Sequence, residues 1–114
     1  MEAIKLIDIV KSEFATSPKK GLLVYDFVVE IISSNKDILI SFEGIEDCTT
    51  AFCNAFIGKI YMDFDIEKVN SLLHFRDLPE NGIWEKKIKN AILLGTNDNM
   101  RNERIANLEE LIAY

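Results

Sequence analysis

Asp37-Ile38-Leu39-Ile40-Ser41-Phe42-Glu43-Gly44-Ile45-Glu46-Asp47-Cys48-Thr49-Thr50-Ala51-Phe52-Cys53-Asn54-Ala55-Phe56 joins three kinds of segment. Asp37 to Phe42 is a short apolar run bounded by turn residues, the pattern of a strand buried on both faces of a parallel sheet. It is the candidate central strand. Gly44 to Cys48 forms a polar loop, and then Thr49 and Thr50 precede Ala51, Phe52, Ala55, Phe56 and Ile60, an apolar stripe of helical period that lasts to about Tyr61. Thr49 or Thr50 is the natural N-cap, because a hydroxyl there accepts one of the unpaired N–H groups of the first turn.

Upstream, Ser17-Pro18 starts a helix in which Val24, Phe27, Val28, Ile31 and Ile32 share a face and which Ser33-Ser34-Asn35 ends. Before it, Ala3 to Phe14 carries near-alternating β-branched residues and reads as a strand with one slip or bulge. Downstream, Met62 to Lys68 reads as a charged connector, and Val69 to Phe75, with Leu72 and Leu73, as a third buried strand. Leu78-Pro79-Glu80-Asn81-Gly82 is a turn. A helix through Ile83, Trp84, Ile88, Ala91 and Ile92 should stop near Gly95, leaving Thr96 to Asn99 as a loop. Met100 to Tyr114 then forms an amphipathic terminal helix whose Leu108, Leu111 and Ile112 suit a homodimer contact.

The alternation of strands and helices predicts an α/β fold with a small mixed or mainly parallel sheet, helices packed on it and a C-terminal amphipathic helix. The 114 residues suffice for a single domain, with a core over residues 3–94 and the terminal helix over residues 100–113. A hydrophobic share of 48% with 28% charged residues suits a packed soluble protein. The net charge of −6, spread as −4 over residues 1–57 and −2 over residues 58–114, leaves no basic stripe for nucleic acid or an anionic membrane. The opening Met1 to Phe14 lacks the pattern of a secretory signal, so the expected location is the cytoplasm.

Two cysteines and one histidine are too few for an ordinary zinc site. Cys48 and Cys53 read as structural, and His74 as a strand histidine. Asp63, Asp65 and Glu67 alternate but lack the glycine and distal glutamate of a calcium loop. The five glycines are isolated, with no phosphate cradle among them. No metal and no cofactor are expected, and Trp84 with Ile83, Ile88 and Ile92 reads as core.

Phe42-Glu43-Gly44-Ile45, followed by Cys48-Thr49-Thr50-Ala51-Phe52-Cys53-Asn54-Ala55-Phe56-Ile57-Gly58, resembles the STAS-like domains of unknown function. More distantly the sequence is similar to the STAS domains of anti-sigma factor antagonists, where an Asp-Ser-Ser-Gly helix start carries a phosphorylated serine. Asp47-Cys48-Thr49-Thr50 laid on that motif puts the phosphoacceptor at Thr49, while the STAS-like pattern allows Thr50; threonine or cysteine stands in place of serine, and no glycine follows. The resemblance implies a non-enzymatic partner-switching module. It would bind a histidine-kinase-like ATPase, be phosphorylated by it, and so control whether that ATPase sequesters a third protein. The contact patch would be Asp47, Cys48, Thr49, Thr50 and Asn54.

Two other classes compete with this reading. An acidic inhibitor of phage or mobile-element type would use the −6 charge to occupy a basic site on a nucleic-acid-binding protein. An enzyme would have to bring Asp47, His74 and a cysteine together in a pocket.

Overall fold

A computed structural model describes residues 2–112, with side chains described for residues 3–99. The order is β1 (Glu2–Lys5), α1 (Leu6–Val10), β2 (Phe14–Ala15), α2 (Pro18–Ser33), β3 (Ile38–Ser41) and β4 (Asp47–Cys48). Next come α3 (Thr50–Cys53), a π-helical turn (Asn54–Gly58) and α4 (Lys59–Asp63), which run on as one continuous helix, then α5 (Ile66–Leu72), β5 (Leu73–Arg76) and α6 (Ile83–Ile112).

β3 is central as the apolar run predicts, with β1 and β5 on either side and both pairings parallel. Ile38 faces Leu73 and Ile40 faces Phe75 across β3 and β5. Side chains alternate along each strand, so Ile38, Ile40, Leu73 and Phe75 share the core face, while Ala3, Leu39 and His74 share the other. β2 and β4 form a separate parallel pair, Phe14 with Asp47 and Ala15 with Cys48. It ties the loop after β3 to the segment before α2. The fold is α/β with a small, mainly parallel sheet, helices packed on it and a C-terminal helix.

Besides the β2–β4 pair, whose Asp47–Cys48 strand falls in the segment read as loop, three element boundaries differ from the sequence expectation. The strand expected over residues 3–14 ends at Lys5. Leu6 and Val10, one helical turn apart, are both buried, and Lys11 closes that turn in the left-handed region at φ 60° with its N–H donating to the Ile7 carbonyl. The slip in the alternation is therefore a helical turn. Likewise the connector and the start of the third strand are α5, because Ile66, Val69 and Leu72 recur every three residues and only Val69 is fully buried. The strand begins at Leu73.

The third difference is at Gly95, which does not stop α6; the helix runs on through Thr96 to Asn99. A Cβ on Gly95 would collide with the Gly58 carbonyl oxygen and lie 3.0 Å from the Tyr61 Cβ, so this glycine permits a close helix crossing. Gly21 does the same on α2, where a Cβ would lie 2.7 Å from the Phe52 carbonyl oxygen. The helix over residues 50–63 is thus clasped between α2 and α6.

Its buried doublets Phe52-Cys53, Phe56-Ile57 and Ile60-Tyr61 repeat every four residues. An ideal α-helix turns about 100° per residue, so such a stripe would drift by roughly 40° per repeat. The π turn at Asn54–Gly58 winds more slowly and keeps the doublets facing inward. Phe42, Phe56 and Phe75 then meet over the end of the sheet, with Trp84 of α6 packed on Phe42 at a ring distance of 6.1 Å. Among the described residues no helix is long and apolar enough to cross a membrane. Leu108, Leu111 and Ile112, on which the sequence places a dimer contact, lie outside the residues whose side chains are described.

Candidate functional site at the start of α3

The carboxyl edge of a parallel sheet is where α/β folds gather polar groups, and here it holds Lys5, Ser41 and Arg76 in register. Ser41 is buried, and its hydroxyl donates to Asp77 Oδ2 at 2.5 Å while accepting the Glu43 N–H at 3.2 Å. Arg76 Nε meets the same Asp77 oxygen at 3.3 Å, and Lys5 pairs with Glu43 at 3.3 Å. The Ser41 hydroxyl above all, with Arg76 adding to it, holds the Asp77 carboxyl below its usual range. This network fixes the exit of the chain from β3 and so the path of the loop into β4.

After that loop, the Thr49 N–H donates to the Ala15 carbonyl at 3.0 Å, extending the β2–β4 pairing by one bond. Thr49 is the N-cap: its backbone is extended, and its hydroxyl accepts from the Phe52 N–H at 3.3 Å. The same hydroxyl donates to the Thr16 carbonyl at 3.0 Å. Both hydrogen-bonding roles of Thr49 are therefore occupied by the fold. Thr50, the first residue of α3, is exposed. So is Asp47, whose Oδ1 accepts the Cys48 N–H at 2.9 Å. Asn54 is half-buried one turn along, whereas the Cys48 side chain is buried and presents nothing to a partner. Of the five residues in the expected patch, Asp47 and Thr50 are exposed, Thr49 and Asn54 half-buried, and Cys48 buried.

Asn54 also lines a groove of about 200 Å³ with Ala55, Gly58, Lys59, Met62, Leu94, Gly95 and Asp98. The Gly58–Gly95 crossing forms its floor, so the groove is a product of the π turn. On the α2 side of the same helix, Lys59 bridges to Asp63 at 2.9 Å and lies 4.8 Å from the centre of the Tyr25 ring, and the Tyr25 hydroxyl donates to Asp63 at 2.7 Å. Partial burial and Asp63 push the Tyr25 phenol up to about 12. Burial works against ionisation of Asp63, but the hydrogen bonds from Tyr25 and Lys59 outweigh it and hold the carboxyl low.

Inside the helix start, Cys48 Sγ and Cys53 Sγ are 3.5 Å apart, both fully buried. Their hydrogen bond and their burial push the Cys48 thiol up; the same hydrogen bond, seconded by Lys87 and opposed by burial, draws Cys53 down. Lys87 of α6 donates to the Cys48 carbonyl at 2.8 Å. Nothing in the sequence pattern links residue 87 to residue 48. Cys48 and Cys53, by contrast, are close in sequence, and their approach follows from a strand turning directly into a helix.

The residues of the enzyme reading do not assemble. His74 lies on the sheet face opposite Phe75, and it is Phe75 that packs against Phe56 of the helix carrying Cys53. Among the described residues no group of three or more His, Cys, Asp or Glu side chains is gathered for a metal.

A short parallel sheet whose central strand leads through an anchored loop into a hydroxyl-capped helix, with helices packed on it, defines a small α/β fold. The chain belongs to the STAS-like domains of unknown function, whose family model matches residues 21–82, from the second turn of α2 to the turn before α6. No curated protein and no solved structure matches it.

Proposed function

We propose that this chain is a cytoplasmic, non-enzymatic regulatory module that binds a histidine-kinase-like ATPase through Asp47, Thr50 and Asn54, and that phosphorylation of Thr50 switches the contact. The observation that carries this reading is the division of labour between adjacent threonines. Thr49 spends its hydroxyl on capping α3 and on the Thr16 carbonyl, while Thr50 sits exposed at the first helical position. A phosphate on Thr49 would remove the hydrogen that this residue donates to the Thr16 carbonyl. One on Thr50 would leave both Thr49 bonds in place, and its charge of about −2 would sit at the positive end of the helix dipole. The partner would meet a new charge at the centre of the patch. Membership of the STAS-like family supports a protein-interaction role for this surface.

The test is affinity purification of the chain at native abundance, with mass spectrometry of the copurifying proteins and of peptides spanning residues 47–59. The expected result is an ATPase of the histidine-kinase type and a phosphate on Thr50. Thr50→Glu should abolish the capture and Thr50→Ala retain it. Retention of the ATPase by Thr50→Glu would defeat the switch. A nucleic-acid-binding partner with unmodified threonines would replace this reading with the acidic inhibitor.

A further inference from the structure

We propose that Cys48 and Cys53 are a peroxide-oxidisable thiol pair that closes into an intramolecular disulfide across the start of α3. Three observations converge on it. The two sulfurs are in van der Waals contact at 3.5 Å, so only side-chain rotation and a small backbone shift separate them from the bond length of about 2.05 Å. The pair straddles the junction between β4 and α3, where β4 is two residues long and pairs only with the equally short β2. Lys87 places a cation beside both thiols and holds the Cys48 carbonyl. Two cysteines that merely filled core volume would not need this arrangement.

Either sulfur can open the sequence, because either thiol can donate to the other across the 3.5 Å contact. When Cys53 reacts first, its thiolate attacks the outer oxygen of a hydroperoxide, breaking the O–O bond. The products are the sulfenic acid of Cys53 and the corresponding alcohol, or water when the oxidant is hydrogen peroxide. Cys48 sulfur then attacks the Cys53 sulfur, the S–O bond breaks, and hydroxide leaves with the Cys48 proton as water. In sum, two thiols and one hydroperoxide give one disulfide, one alcohol and one water. Hydrogen peroxide is close to water in size and reaches the buried pair when the short β4 segment opens locally.

The closed loop would contain Thr49, Thr50, Ala51 and Phe52. Oxidation would therefore stiffen the segment through which the partner is proposed to dock. That consequence rests on the proposed function; the disulfide itself does not.

The experiment uses the full chain, reduced and then exposed to hydrogen peroxide, denatured, alkylated with iodoacetamide and weighed intact. The expected species is monomeric, two hydrogens lighter and unalkylated, and dithiothreitol restores two alkylation sites. Cys48→Ala and Cys53→Ala should each form no intramolecular bond and stop at a sulfenic acid, trapped by dimedone, on the sulfur that remains. Two free thiols after treatment, chains linked as dimers, or a sulfinic acid in place of the disulfide in the unsubstituted chain would each overturn the proposal, even if the variants fail to fold. The thiol count needs no partner, so its failure leaves the docking reading intact, and a missing ATPase leaves the disulfide intact.

Discussion

Gly95 of α6 lies directly on the Gly58 carbonyl at the end of the π turn, with no room for even one methyl group between the two helices. Gly95→Ala must push α6 off the helix over residues 50–63, and overpacking of this kind costs about 1–3 kcal/mol. Leu93→Ala, an exposed change on the same helix, should stay within about 0.5 kcal/mol of the parent. Urea denaturation of the two variants checks the pair, and equal midpoints would show that the crossing is not tight. The groove beside Asn54 shares this floor, so Gly95→Ala should also reshape it.

That crossing also shows where sequence patterning reaches its limit. Gly95 in a helical pattern reads as a stop because glycine is common at helix ends, yet here its missing side chain is used by a helix distant in sequence. By contrast the central strand at Ile38 to Ser41 and the Ser17-Pro18 helix start were legible, because a short apolar run between turn residues and a capping residue are local signals. The expected burial on both faces is not met, since Leu39 and His74 are only half-buried and Ala3 is exposed on the second face. α1 and α5 were not legible. Both are short and most of their apolar residues are β-branched, so the tertiary contacts of Leu6, Val10 and Val69 decide their conformation. At the site, the cap was readable from Thr49 and Thr50 together, but which of them caps depends on the Thr16 carbonyl, and Lys87 reaches Cys48 only through the packing of α6.

Because the hydroxyl of Thr49 serves two bonds and that of Thr50 is exposed, their alanine variants should separate. Thr49→Ala should lower stability by about 1–2 kcal/mol, the upper part of the range for loss of an N-cap. Thr50→Ala should change it by less than about 0.5 kcal/mol. Chemical denaturation measures both. Equal losses would mean that the two hydroxyls share the cap.

Ser41 and Asp77 provide an acid-side test. Asp77 is held below its usual range, so its contribution to stability is present at neutral pH and is lost as pH falls through the folded-state value. Ser41→Ala removes the largest cause of that shift and leaves the Glu43 N–H without its acceptor. The variant should be less stable than the parent near neutrality, with the difference shrinking in acid. Melting temperatures of the two proteins from about pH 7 down to below the ordinary aspartate value of about 3.9 check it, and a constant difference would assign the loss to the buried hydroxyl alone.

Tyr25 makes the opposite prediction on the alkaline side. Its phenol is raised from 10.0 to about 12, first by partial burial and then by the Asp63 carboxylate that accepts its proton. A raised folded-state value means that its contribution is complete below about pH 10 and is lost as pH rises toward about 12. Tyr61 is also raised, by burial, so the native protein should show delayed tyrosinate absorbance. Tyr25→Phe should remove the component near 12 and leave the Tyr61 delay in place. Asp63→Asn should shift the Tyr25 component only part of the way back, because the larger cause, burial, remains. If Asp63→Asn returned Tyr25 fully to its ordinary value, the carboxylate and not burial would be the dominant influence, and the packing of α2 against α4 around this ring would be looser than the geometry indicates.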